Sequence, residues 1–426
     1  MVLPQGLGRG PGREIQGSRL SSGFPALRMN SNRVKAGVFL LEGLNSFSVT
    51  LYLYYLYFFT QAKFGFASQK NLVLAATIGF VYIFASVFGG RFGQRQGYFS
   101  ALRVGLSIMA VALLVGLFVE NVVAHVIVLL VYTSGTCFTW PALEALVSEN
   151  ESPLRLQQRV GVYNLVWAGT GALAYFSGGA MIERFGLKVL FSVPLAVHVV
   201  ELSLIQWLEP KTNSRASPVE PPRVAPAVLA EIPLNPRPIA RVKTFLRMAW
   251  LSNPLAYIAI NTVIPTIPAL AKQLELSPKF AGFFCSAWLF ARTVAFLLLW
   301  LWPGWHYRFR WLAGAYLAML ACFTLMLAAS DLRLLVTAQI FFGAAIGLIY
   351  YSSLYYSMDV GGAKGEHGGI HEAAIGVGNF IGPALGAAAL HFFPEQRNSG
   401  TWTVCGLLLL GFFALVAVRS RSRVRV

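Results

Sequence analysis

The chain of 426 residues is 56% hydrophobic and 12% charged, with a formal net charge of +17; the charged share is about half that of soluble domains. A water-soluble protein of this length has no means of hiding so much apolar surface, so the composition excludes a soluble globular enzyme and makes lipid the solvent. Cys137, Cys285, Cys322 and Cys405 stand singly in apolar segments, without the paired spacing of a disulfide framework or a metal site.

The first 28 residues hold no apolar core of about 7–15 residues, so no secretory signal peptide is expected there. Residues 1–33 read as a disordered tail. Spanning the hydrocarbon core takes about 20 apolar residues as helix. That window finds six segments, at about 34–59, 70–90, 98–118, 122–147, 160–182 and 187–208. A hydrophilic stretch with eight prolines follows, from Glu209 to Lys243, unable to form a buried helix or a central strand. Six more segments come after it, at about 246–271, 279–302, 309–329, 332–357, 368–393 and 400–418. Long continuous apolar runs exclude alternating barrel strands. The expected fold is therefore an all-α membrane protein: twelve transmembrane helices in two six-helix halves, 34–208 and 244–419, with a linker at 209–243 and a basic tail at 420–426.

Of the 34 lysines and arginines, 24 fall on the side of the N-terminus, the linker and the C-terminus, and 8 on the other. Basic loops stay in the cytoplasm, so both termini are expected there, in a multi-pass protein of the plasma (inner) membrane. The same distribution accounts for the net charge without a nucleic-acid partner.

Ionisable groups within the bilayer cost at least about 2.5–3.5 kcal/mol and need a reason. Glu42 lies about 12 Å into segment 1 at 1.5 Å per residue. It shares a helical arc of about 120° with Asn45, Ser46 and Tyr52, a stripe fit to face a watery interior. Either Glu42 titrates with a transported proton or contacts solute, or it permanently partners a buried cation. Arg292 in segment 8 is the deepest cation and must meet a carboxylate, a carbonyl or an anionic solute; Glu42 is the first partner to consider. In segment 11, Glu372 and Asn379 share a stripe with Gly376, Pro383 and Gly386, which reads either as cavity lining with a gate or as a helix-packing seam. His198 and Glu201, three apart in segment 6, form either a proton relay or a packed pair. Glu144 and Glu149 close segment 4 where Arg95 or Arg103 could latch them. Tyr52, Tyr351 and Tyr355 are candidates for stacking on solute. So are Tyr257 and Asn261 on one face of segment 7, before Pro265 and Pro268, where a kink is expected. Asn164 and Trp167 of segment 5 complete the set.

Loop 2–3 reads GRFGQRQGYF from Gly90 to Phe99, and segment 5, NLVWAGTGALAYFSGG, mirrors the small-residue pattern of segment 11. Together with the 6+6 helix pattern over about 34–420, this resembles the major facilitator superfamily, whose loop signature is Gly-x-x-x-Asp-Arg-x-Gly-Arg-Arg. Gly90, Arg95 and Gly97 fit it; Gln94, Tyr98 and Phe99 do not. A closer-looking copy, Gly179–Lys188, falls on the opposite face. The resemblance implies a secondary transporter that binds a small solute near the midplane and rocks between two states. No nucleotide-binding loop is present, no cofactor is expected, and Glu42, His198, Glu201 and Glu372 make protons the natural coupling ion. The inner gate would comprise Gly90, Arg95, Gly97, Arg103, Glu144 and Glu149, in a protein acting as a monomer. A sensing or scaffold role on the same fold, or a membrane-embedded enzyme, are the alternatives; no catalytic cluster such as HExxH supports the last.

Overall fold

A computed structural model describes residues 32–149, 151, 153–209, 239–360, 364–396 and 398–424. Most of the expected N-terminal tail, most of the linker and the last two residues lie outside the described residues. In hydrocarbon every backbone N–H and C=O must be satisfied internally, so the apolar runs form helices. Among the described residues, twelve are long and apolar enough to cross a membrane. They are α1 (Asn32–Phe64), α2 (Ser68–Gln96), α3 (Tyr98–Gly116), α4 (Val122–Ser148), α5 (Pro153–Phe185) and α6 (Val189–Leu208). After the linker come α7 (Ile239–Val263, continuing as Ile267–Gln273), α8 (Pro278–Cys285 and Ala287–Leu301), α9 (Phe309–Leu327), α10 (Leu332–Val360), α11 (Lys364–Phe392) and α12 (Ser399–Val424). Several run past the apolar windows: α2 continues to Gln96 and α7 begins at Ile239. Polar flanks end a hydropathy window, but helical hydrogen bonding carries on through the headgroup zone.

The proline-rich end of α7 departs from α-helix as its sequence foretells. Pro265 has no N–H to give, and the backbone tightens into a 3-10 turn at Ile264–Thr266 before resuming. Large apolar side chains such as Phe84 and Phe88 point outward, where lipid is their solvent.

Within the first half, α1 packs on α5 and α6, and α3 on α4 and α6; within the second, α8 and α9 pack on α10, and α7 on α11. Two seams join the halves, α2 against α11 and α5 against α8. Exchanging the halves turns one seam into the other, the symmetry expected of a repeated fold. Each seam contains a glycine in backbone contact. A Cβ on Gly79 would strike the backbone of Asn379 and Phe380, and one on Gly179 the carbonyl of Pro278. Gly376 likewise lies against the Ile83 backbone, so that part of the segment 11 stripe is a packing surface.

Candidate functional site

Between the halves lies a cavity of about 150 Å³, walled by α1, α2, α4 and α5 on one side and by α7, α8, α10 and α11 on the other. From α1 it takes Ser46, Val49, Thr50, Leu53, Tyr54 and Tyr57, a stripe at helical spacing. Cross-half contacts sit on both sides of it. Toward the face away from the linker, Asn71 Nδ2 reaches the Pro265 carbonyl at 3.5 Å, and Glu183 Oε1 accepts from the Lys279 backbone N–H at 2.8 Å. That carboxylate sits at the N-terminus of α8, where the unpaired N–H groups of a helix favour an anion. Toward the linker face, Gly369 abuts Ser86 and Gly90, and Gly161 lies under the Trp300 ring. A wider notch of about 530 Å³ lies outside, lined by side chains such as Val73, Phe80 and Phe392 that are half exposed or more.

Arg292 lines the cavity, is 3% exposed and makes no ion pair among the described residues. Its Nε finds no acceptor. Its guanidinium carbon lies 4.4 Å from the ring centre of Trp167 and 5.0 Å from that of Trp288. The pairing with Glu42 considered from the sequence is therefore absent: Glu42 is fully buried, makes no ion pair among the described residues, and has no well-formed hydrogen bond at either carboxylate oxygen, with Tyr163 the donor that faces it. It stands one helical turn from Ser46 toward the linker face, near Tyr163, with Glu201 and Glu372 in electrostatic reach. Asn45, beside it, also leaves both side-chain polar atoms unpaired.

Of the other expected cavity residues, Trp167, Tyr257, Asn261, Glu372 and Asn379 line it. Asn261 Nδ2 donates to Asn379 Oδ1 at 2.6 Å, and Trp167 Nε1 to Asn164 Oδ1 at 3.1 Å, which places Asn164 just behind the wall. Tyr82, on α2, donates to the Glu372 carboxylate across the seam. Glu144 and His371 adjoin it, and one donor atom from each of the three residues lies within 4.8 Å of the others. Both Glu144 oxygens and His371 Nε2 lack partners. This cluster has the chemistry to hold a proton or a cation.

Three tyrosines fall elsewhere. Tyr52 packs on Tyr132 at 4.6 Å between ring centres, inside the first half, and Tyr351 and Tyr355 pack on Trp305 at 5.4 and 5.9 Å inside the second. Helical phase is the reason: α1 turns residues 46, 50, 53 and 57 to the cavity, so Tyr54 and Tyr57 line it and Tyr52 turns away. On α10 the same holds for Tyr350, which meets Trp167 at 5.1 Å. His198 Nδ1 and Glu201 Oε2 are 2.6 Å apart, with the Tyr132 hydroxyl 3.3 Å from Nε2, in the core of the first half and not on the cavity wall.

The latch expected between Glu144 or Glu149 and Arg95 or Arg103 is not what the structure contains. Glu144 is buried beside Glu372, too deep on its helix to reach the loop, and Arg103 pairs with Glu209 at the end of α6. Arg95 is exposed, Gly90 lies in the α2–α11 seam, and Gly97 takes φ +92° to turn α2 into α3. Lys35, passed over in the sequence, does the stapling here. Its ammonium donates to the carbonyls of Leu146, Val147 and Glu149 at 2.8, 3.0 and 3.1 Å and meets Glu151 at 3.3 Å. It closes the C-terminus of α4, where a cation suits the helix dipole. Glu151 also holds Arg159 at 3.4 Å.

The sequence matches the family model of the Major Facilitator Superfamily over residues 38–360. A search of curated proteins finds no match. Among solved structures, the human organic anion transporter MFSD10 (TETRAN) is similar over 90% of this chain and 99% of its own, with a TM-score of 0.65 and 16% identity. The nucleoside transporter NupG is similar over 90% and 99%, with a TM-score of 0.61 and 15% identity. At such identities the likeness is one of fold.

Proposed function

The chain belongs to the major facilitator superfamily, a family of membrane transporters, and from that premise we propose that it is a secondary active transporter that moves a small solute by alternating access with coupling to protons. The observation that carries the reading is the cavity between the halves, lined from both and flanked on each side by contacts that cross between them. Rocking the halves about their seams would break one set of contacts and keep the other, exposing the cavity to each face in turn. Solute would touch Arg292, Trp167, Tyr257, Asn261 and Asn379.

Glu42 would carry the proton. It is a carboxylate with no counter-charge in a dry interior, where an uncompensated charge costs several kcal/mol, and proton uptake removes that charge. Glu372, at the cavity wall and on the α2–α11 seam, would link the proton to solute and to closure, whereas His198 and Glu201 would relay or pack within the first half. At the linker face, Gly90, Gly97, Arg95 and Arg103 would shape an inner gate together with Glu149, while Glu144 stays with Glu372 beside the cavity. The charge distribution supports cytoplasmic termini in the plasma (inner) membrane, with 209–243 as a tether.

The test uses proteoliposomes with an entrapped pH dye and a panel of sugars, amino acids and organic acids added outside. At least one class should drive proton movement in the native protein, and Glu42→Gln should abolish proton movement while solute exchange persists. Proton movement undiminished in Glu42→Gln would remove Glu42 from the mechanism, and a protein that moved no solute at all would defeat the transporter reading.

A further inference from the structure

Arginine is charged at every accessible pH and carries five donors and no acceptor. A buried guanidinium therefore normally meets a carboxylate or a row of carbonyls. Arg292 meets neither: it makes no hydrogen bond or ion pair among the described residues, its Nε is orphaned, and the rings of Trp167 and Trp288 flank it, with Tyr54 and Tyr257 in electrostatic reach. Those rings favour a cation but accept none of its in-plane N–H groups. The missing partner is an oxyanion able to take a bidentate pair.

We infer that the cavity binds a small organic monoanion with a flat apolar body, its carboxylate-like group seated on Arg292. This rests on the transporter reading and assigns that reading its substrate class. A single negative charge follows from the remaining wall, where Glu372 is the only other charged residue and is an acid. A second negative charge would face it without a counter-ion, and a cationic solute would share the cavity with a bare guanidinium. The flat body follows from the rings beside Arg292: Trp167 meets Tyr350 at 5.1 Å and Tyr350 meets Tyr257 at 6.3 Å, one continuous aromatic wall. Size follows from the volume of about 150 Å³, room for a body about as large as benzene. The Asn261–Asn379 pair offers hydrogen-bonding groups for a second, uncharged substituent.

The full-length protein in detergent is titrated calorimetrically with benzoate, nicotinate and cyclohexanecarboxylate, and with benzamide, benzylammonium and phthalate as neutral, cationic and doubly charged controls. At least one monoanion should bind, with benzamide and benzylammonium silent and phthalate weaker by about tenfold or more. Arg292→Gln should abolish that binding and raise the melting temperature of the ligand-free protein, since it removes an unpaired buried charge. Arg292→Lys should retain weakened binding, because an ammonium keeps the charge but not the fork. Equal binding of benzoate and benzamide overturns the inference, as does unchanged monoanion binding in Arg292→Gln. A lowered melting temperature in both variants with monoanion binding intact would make Arg292 a packing residue. Counterflow of the labelled monoanion in vesicles separates the two levels. Binding without exchange defeats the transporter reading and leaves the anion site standing. Exchange of a neutral or cationic solute with no monoanion bound defeats the anion site alone.

Discussion

Gly79→Val is expected to eliminate solute exchange while leaving a protein that still inserts and purifies. The α-carbon of Gly79 sits against the backbone of Asn379 and Phe380, so an added side chain meets main chain, which cannot rotate away as a side chain could. The only relief is to part α2 from α11, which also separates Tyr82 from Glu372 and displaces Asn379 at the cavity wall. Overpacking of this sort costs about 1–3 kcal/mol or more, spent here on the seam about which the halves would rock. Gly79→Ala should fall between, and Gly314→Ala, where a Cβ meets nothing within 4 Å, should exchange like the native protein. The measurement is counterflow in proteoliposomes, with gel filtration to confirm folding. Exchange by the Val variant within a factor of about two of native would show that the seam tolerates separation, against the geometry above.

Lys35→Met is expected to produce a large loss of stability. Three carbonyls and the Glu151 carboxylate converge on one ammonium that is 4% exposed. Removing the cation leaves the last turn of α4 uncapped in a buried setting, and breaking one partner of a buried charged network costs about 3–5 kcal/mol. The lower end applies, since Glu151 keeps Arg159 at 3.4 Å. A thermal melt in detergent should show a midpoint lower by about 3 °C, at about 1 °C per kcal/mol when an unfolding entropy of about 2.1 cal/mol/K per residue is summed over a chain of this length. Lys35→Arg should recover part of it. A native-like melt for Lys35→Met would mean that water replaces the ammonium at those carbonyls.

The fold was legible because lipid leaves few options. Apolar runs of the right length have to be helices, and the proline-rich interval between the sixth and seventh runs marks the 6+6 division. The site was legible only where a residue type is intolerable to lipid. Arg292, Glu372, Asn379, Asn261 and Trp167 all reach the cavity wall, whereas Glu42, Asn45, His198 and Glu201 are equally shielded from lipid but sit in the packed core of the first half. Tyrosine obeys no such rule. Tyr52 and Tyr54 look equally suited to stacking, and choosing between them requires the rotational phase of α1, which Glu42 and Asn45 set wrongly: they face the packed interior below the cavity. The cavity stripe from residue 46 to 57 left no mark in the sequence, because its Val, Thr and Leu members are ordinary in a membrane helix. Inter-helix partners were beyond reach altogether. Nothing in the chain order announces that Tyr82 meets Glu372, or that Lys35 reaches the end of α4 more than a hundred residues on.

The solitary guanidinium also bears on the traffic of an unloaded carrier. A cavity holding solute would pass through the closed arrangement as a neutral pair. An empty one would carry an unpaired positive charge through the same arrangement with two tryptophan faces for company, the more costly passage because the charge is desolvated without a partner. The return of the empty form would then be the slow leg of the cycle, and one-for-one swapping would outrun net discharge. Labelled solute should leave preloaded vesicles faster into a bath containing unlabelled solute than into plain buffer.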